Sequence, residues 1–240
     1  MTTVPFYYYG YGYNLSDPLY AFSMLLLITA LAVTAIAQIK VKSSFSKYSK
    51  VPANLTGAAA AEKLLASQGV FNVKIERTGG HLSDHFDPRT NTIRLSEDVY
   101  DRATVAAVGV ACHEAGHALQ YASGYGPIKF RNAILPVTRI GSTLAIPLIL
   151  LGFLFHPVIA GIGVLFYALS TLFQLVTLPV EFNASHRAIT IIKDCNLLYD
   201  DSQRYGAKKV LSAAAMTYLG ALLASLAQLL RLISIVNRRR

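Results

Sequence analysis

Ala111-Cys112-His113-Glu114-Ala115-Gly116-His117-Ala118-Leu119 lies within a run, Ala103 to Ala122, broken only by Gly109 and Gly116 as residues that disfavour a helix. In a helix of about 3.6 residues per turn, side chains four apart stack on one face. His113 and His117 therefore point the same way and can grip one metal ion, with Glu114 beside the position left open. Imidazoles at this spacing suit zinc. Zinc lowers the pKa of a bound water to about 7, and an adjacent carboxylate can take its proton. The plainer alternative is two surface histidines flanking a salt-bridging Glu. The neighbours argue against it, because Val105, Ala106, Ala107, Val108, Val110, Ala111, Ala118 and Leu119 are small or apolar. Ionisable groups in such a helix are buried and need partners.

The 240 residues are 53% hydrophobic and only 15% charged, well below the roughly 25% charged residues of soluble domains. A hydrocarbon core of about 30 Å is crossed by about 20 apolar residues in a helix. Four stretches meet that length: Leu19 to Ile39, Ala133 to Phe155, Val158 to Leu178 and Val210 to Val236. Arg139 and Arg231 lie near span ends, where a long side chain can reach the interface. Ala35-Ile36-Ala37 resembles a signal-peptidase site, but no Lys or Arg precedes the first span, so a retained anchor is expected.

Lys40, Lys42, Lys47 and Lys50 follow the first span, and Arg187, Lys193, Arg204, Lys208 and Lys209 follow the third. The positive-inside rule puts both segments in the cytoplasm, with a turn at His156 and Pro157 outside. The predicted organisation is a Tyr-rich extracytoplasmic tail (1–18), a first span (19–39), a cytoplasmic part (40–132), a membrane hairpin (133–178), a second cytoplasmic segment (179–209), a last span (210–236) and a basic tail (237–240). Four simple crossings leave Arg238-Arg239-Arg240 outside, against the rule, unless the last stretch is interfacial or re-entrant; a true span is the expectation. The expected location is the cell membrane, multi-pass. The net charge of +9 implies anionic lipid headgroups as partners rather than nucleic acid, for which no motif is present. Two cysteines are too few for a disulfide framework, and Cys112 reads as a small buried residue.

A three-ligand zinc site needs another donor on the same side of the membrane. Glu181 meets that condition, since one out-and-back hairpin separates it from His117, and it is read as beginning a second polar helix. By itself Glu181 fits equally a carboxylate at a helix start, near the positive end of the dipole. Two strands are expected at Val70 to Arg77 and Asn91 to Leu95, with Asp87-Pro88-Arg89-Thr90-Asn91 as turn chemistry, after a short helix capped by Thr56 and packed on the motif helix. His81, Asp84, His85 and Asp87 fit no compact zinc spacing and are expected to be surface groups or substrate contacts.

H-E-x-x-H followed after a membrane hairpin by Glu181-Phe182-Asn183-Ala184-Ser185 resembles the gluzincin arrangement of HtpX-type and CAAX-prenyl membrane proteases. Together with Leu82-Ser83-Asp84-His85-Phe86-Asp87-Pro88 and Ile93-Arg94-Leu95-Ser96, these residues resemble the YugP-like family of membrane zinc metallopeptidases, across about residues 20 to 235. The resemblance implies His113, His117 and Glu181 as Zn2+ ligands and Glu114 as catalytic base. Asn183 stands where an Asp is expected and His186 where an Arg is expected. Ser185 holds the place of the Asp that in the wider group orients a metal histidine. Ser185, His186 and His85 are the candidates for that support or for the oxyanion. By analogy with zincins, Thr90 to Leu95, centred on Thr92, Ile93 and Arg94, is expected as the edge strand that binds substrate backbone, with His81 to Phe86 second.

The expected fold is thus a mainly α, polytopic membrane protein with about four transmembrane helices and a cytoplasmic zincin-like catalytic part carrying a small β-sheet. The expected activity is hydrolysis of peptide bonds in membrane-associated proteins, with protein or peptide substrates. Two other readings stand beside it. A site-2-type intramembrane protease would use a Leu-Asp-Gly ligand motif, which is absent. A scaffold held by structural zinc would ordinarily supply four protein ligands.

Overall fold

The computed structural model describes residues 18–237. The Tyr-rich tail and Arg238 to Arg240, on which two of the expectations above fall, lie outside the described residues. The elements are α1 (Pro18–Tyr48), α2 (Gly57–Ser67), β1 (Lys74–Thr78), β2 (His85–Asp87), β3 (Thr92–Ser96), α3 (Glu97–Tyr100), α4 (Val105–Ala122), α5 (Gly126–Leu154), α6 (Pro157–Asp194) and α7 (Asp201–Asn237).

Helices α1, α5, α6 and α7 are each long and apolar enough to cross a membrane. They pack as a row, α1 on α7, α7 on α6 and α6 on α5. Phe22, Leu25, Ile28, Leu31 and Ile39 of α1 and Ile140, Leu150 and Leu154 of α5 face outward. Contiguous apolar surface of this kind is stable against lipid and costly against water. His156 behaves as the expected turn residue, its Nδ1 accepting from Val158 N–H at 3.3 Å to cap α6.

The helices run past the sequence-drawn spans. The polar residues after Ile39 continue α1 to Tyr48, and residues 201–209 are the first turns of α7 rather than a loop. Glu181 does not begin a helix either. Helix α6 passes without interruption through Pro179, a residue tolerated in long apolar helices when its surroundings satisfy the freed carbonyls. Membrane span and Glu181 therefore share one rigid rod.

The compact part is centred on α4. Thr104 caps it by accepting from Ala107 N–H at 3.3 Å, and Val51 carbonyl accepts from Val105 N–H at 3.0 Å, tying its start to the segment after α1. Helix α2, capped as expected by Thr56, packs on α4. Leu64 and Leu65 of α2, Ile93 and Leu95 of β3, and Val108, Ala111, Cys112 and Ala115 of α4 form one buried cluster. Cys112 is a core residue.

The sheet has the order β1-β3-β2. Strand β3 pairs in parallel with β1 and antiparallel with β2. This corrects the expectation that Thr92, Ile93 and Arg94 form a substrate-binding edge. Both edges of β3 are already hydrogen-bonded, and Ile93 and Leu95 point into the core. On the α4 side the edge is β2, whose Phe86 ring meets Tyr121 edge-on at 5.4 Å.

Candidate metal centre

Helix α4 presents His113 and His117 on one face, their rings 4.8 Å apart and nearly perpendicular. Helix α6 brings Glu181 against them. Its Oε2 lies 3.3 Å from Nε2 of His113 and 3.5 Å from Nε2 of His117. The close approach of the two helices depends on Gly116, since a Cβ there would stand 2.6 Å from the Ala184 carbonyl oxygen. A glycine between the two histidines is thus what allows a neighbouring helix to deliver the third side chain.

The other nitrogen of each imidazole is held. Ser185 Oγ lies 3.1 Å from Nδ1 of His113. Nδ1 of His117 lies 3.0 Å from Gln120 Oε1. The Gln120 amide is oriented by its own donation to the Val180 carbonyl at 2.8 Å and to Asn183 Oδ1 at 3.0 Å. An amide oxygen can only accept, so Nδ1 of His117 carries a hydrogen, and Nε2 is the nitrogen turned toward Glu181. Glu181 Oε2 is itself buried without a hydrogen-bond partner. A carboxylate oxygen and imidazole lone pairs aimed at one point are the donor set of a cation. Burial alone would push the His117 pKa down, but Glu181 and Glu114 outweigh it and hold it above the ordinary value. The site favours positive charge. His113, His117 and Glu181 are the one metal-capable group among the described residues.

Glu114, also buried, opens with His113, Glu181 and Ser185 onto a cavity of about 200 Å³. Val41 and Phe45 of α1 and Val210, Leu211, Ala214 and Tyr218 of α7 also line it. The site therefore sits where two apolar helices meet the compact part.

Of the remaining sequence candidates, Asp84 lines the same cavity and the others lie elsewhere. His85 is exposed and donates from Nδ1 to the Ser83 carbonyl at 2.8 Å, outside the cavity. His186 follows Ser185 by one residue, and a helical step of about 100° turns it outward, where it is exposed. Neither ring reaches the centre, which corrects their assignment as oxyanion donors. His81 pairs with Asp98 at 2.6 Å, and Asp84 accepts from Ser96 N–H at 2.7 Å. Three residues near the centre escaped the sequence reading: Gln120, Arg131 and Tyr218. Gln120 was open to it, three residues after His117 and so on nearly the same face. Tyr218 was the polar tip in an apolar run. Arg131 gave no signal, since a cation at the start of a membrane helix reads as an interface residue.

Two histidines and a glutamate beside a half-open cavity, carried on four helices apolar enough to cross a membrane, are the arrangement of a zinc-peptidase-like membrane protein. The comparisons agree, and the chain belongs to the family described as "Putative neutral zinc metallopeptidase", which matches residues 23–237. It is similar to a protein of Bacillus subtilis (strain 168) named "Putative membrane protease YugP", with 45% identity over 213 residues, 88% of this chain and 94% of that protein. No solved structure matches it.

Proposed function

We propose that this protein is a membrane-integrated zinc endopeptidase that hydrolyses peptide bonds of membrane-associated proteins. The observation that carries the reading is the convergence of His113, His117 and Glu181 beside a second, non-ligating carboxylate, Glu114, on one cavity. The two imidazoles and Glu181 Oε2 would hold the ion. When bound, zinc makes a water acidic near neutral pH and draws electrons from the carbonyl to be attacked.

The chain's own residues do the rest. Glu114 takes the proton of the attacking water and returns it to the leaving amine. Gln120 and Ser185 fix the tautomer and tilt of the two rings. Tyr218, which lines the same cavity beside Glu181, offers its O–H to the oxygen on which negative charge develops. Part of the wall belongs to α1 and α7, so a substrate reaches Glu114 past apolar helices. That favours segments at or near the bilayer surface. The lysines at the end of α1 and the cations after Glu181 support a cytoplasmic orientation for this chemistry, by the positive-inside rule.

The test is Glu114→Gln in purified protein. Retained zinc with lost cleavage of a membrane-protein or peptide substrate is the expected result. A variant that cleaves like the parent ends the reading of Glu114 as the base.

A further inference from the structure

The two oxygens of Glu181 have different surroundings, and a residue from another helix makes the difference. Oε2 faces both imidazoles and is buried without a hydrogen-bond partner. Oε1 instead meets Arg131 Nη1 at 3.5 Å. Arg131 lies near the start of α5 and reaches across to α6, its guanidinium 5.9 Å above the Phe173 ring.

A carboxylate ligand can bind zinc through one oxygen or through both. With both, it takes up the coordination position that a hydrolytic site keeps for solvent. An unheld Glu181 needs only a rotation of its carboxylate to do so. A cation is an odd neighbour for a metal ion if stabilising that ion is its purpose, because like charges repel across a buried site. It is an apt neighbour for the oxygen that must be kept off the metal.

We infer that Arg131 is a positioning residue that holds Oε1 of Glu181, so that Glu181 ligates through Oε2 alone and a coordination position beside Glu114 stays free. This rests on the zinc-peptidase reading. It gives that reading a sign that a merely structural role for Arg131 would not share. Removing structural support weakens metal binding, whereas releasing a withheld donor leaves binding equal or tighter.

The experiment uses the full chain, purified in detergent, with wild type, Arg131→Gln and Arg131→Lys compared. Zn2+ affinity is measured by competition with a chromophoric chelator, and Co2+ is substituted so that its visible absorption reports coordination number. Arg131→Gln is expected to bind Zn2+ as tightly as wild type or tighter, to show a weaker Co2+ band as a fifth donor joins, and to lose about tenfold or more in peptide hydrolysis. Arg131→Lys recovers part of the wild-type band. An unchanged Co2+ band in Arg131→Gln overturns the inference. X-ray absorption of the wild-type zinc protein decides the matter should that variant not fold. One carboxylate oxygen in the first shell supports the inference and two overturn it. Failure of wild type to take up metal sinks the zinc-peptidase reading and this inference together, whereas uptake with an unchanged band sinks this inference alone.

Discussion

The carbonyl oxygen of Ala184 lies 2.6 Å from where a Cβ on Gly116 would stand. That gap sets the distance between α4 and α6, and with it whether Glu181 reaches the two histidines.

Gly116→Ala forces the helices apart, at a cost of about 1 to 3 kcal/mol by the usual scale of overpacking. Zinc content should collapse in the purified variant. Gly109→Ala is the control on the same helix, where a Cβ meets Ala207 at an ordinary 3.4 Å. It should keep zinc and gain about 0.5 to 1 kcal/mol from a better helix former. Equal zinc content in the two variants would contradict the packing argument.

Gln120→Leu removes the acceptor that fixes His117 and leaves Val180 carbonyl without its side-chain donor. Loss of such support typically costs about 10- to 100-fold in metal affinity. Ser185→Ala should cost less, because a hydroxyl is the weaker orienting partner. Competition titration with a zinc chelator ranks the two, and a Gln120→Leu affinity equal to wild type would remove Gln120 from the site.

Tyr218→Phe keeps the cavity's shape and deletes one donor. Turnover should fall by about 100-fold, the scale for losing an oxyanion donor, with zinc content and KM unchanged. A matching loss in KM with kcat intact would assign Tyr218 to substrate binding instead.

Chelation should destabilise the fold, because the ligands come from two helices that the metal ties together. Ligand held at about 100 times its Kd stabilises by about 2.7 kcal/mol. Thermal unfolding in detergent should therefore shift down on chelator addition in wild type and in Glu114→Gln, but not in His117→Ala. A chelator-insensitive wild type would argue that the three side chains hold no metal.

Much of this architecture was legible from periodicity and length. Apolar runs announced α1, α5, α6 and α7, and Thr56 announced α2, because hydrophobic length and capping are local properties. The errors were errors of continuation and of neighbourhood. Polar residues after Ile39 and before Val210 read as loop, yet a helix already started by its apolar part propagates through them at little cost. The third span reads as ending at Leu178 and a new helix as beginning at Glu181, yet α6 continues through Pro179, whose tolerance is set by the packing around it. Strand β3 read as an edge because no feature of Thr92 to Ser96 tells how many strands flank it.

His113, Glu114 and His117 needed only helical geometry, which a sequence carries in its spacing, whereas the count of membrane crossings left Glu181 equally a ligand or a helix-start carboxylate, and the family resemblance chose between them. The partners that tune them did not follow from either. Gln120 faces His117 and Arg131 faces Glu181 because helices α4, α5 and α6 meet where Gly116 lets them, and contacts between elements depend on packing that no local pattern encodes.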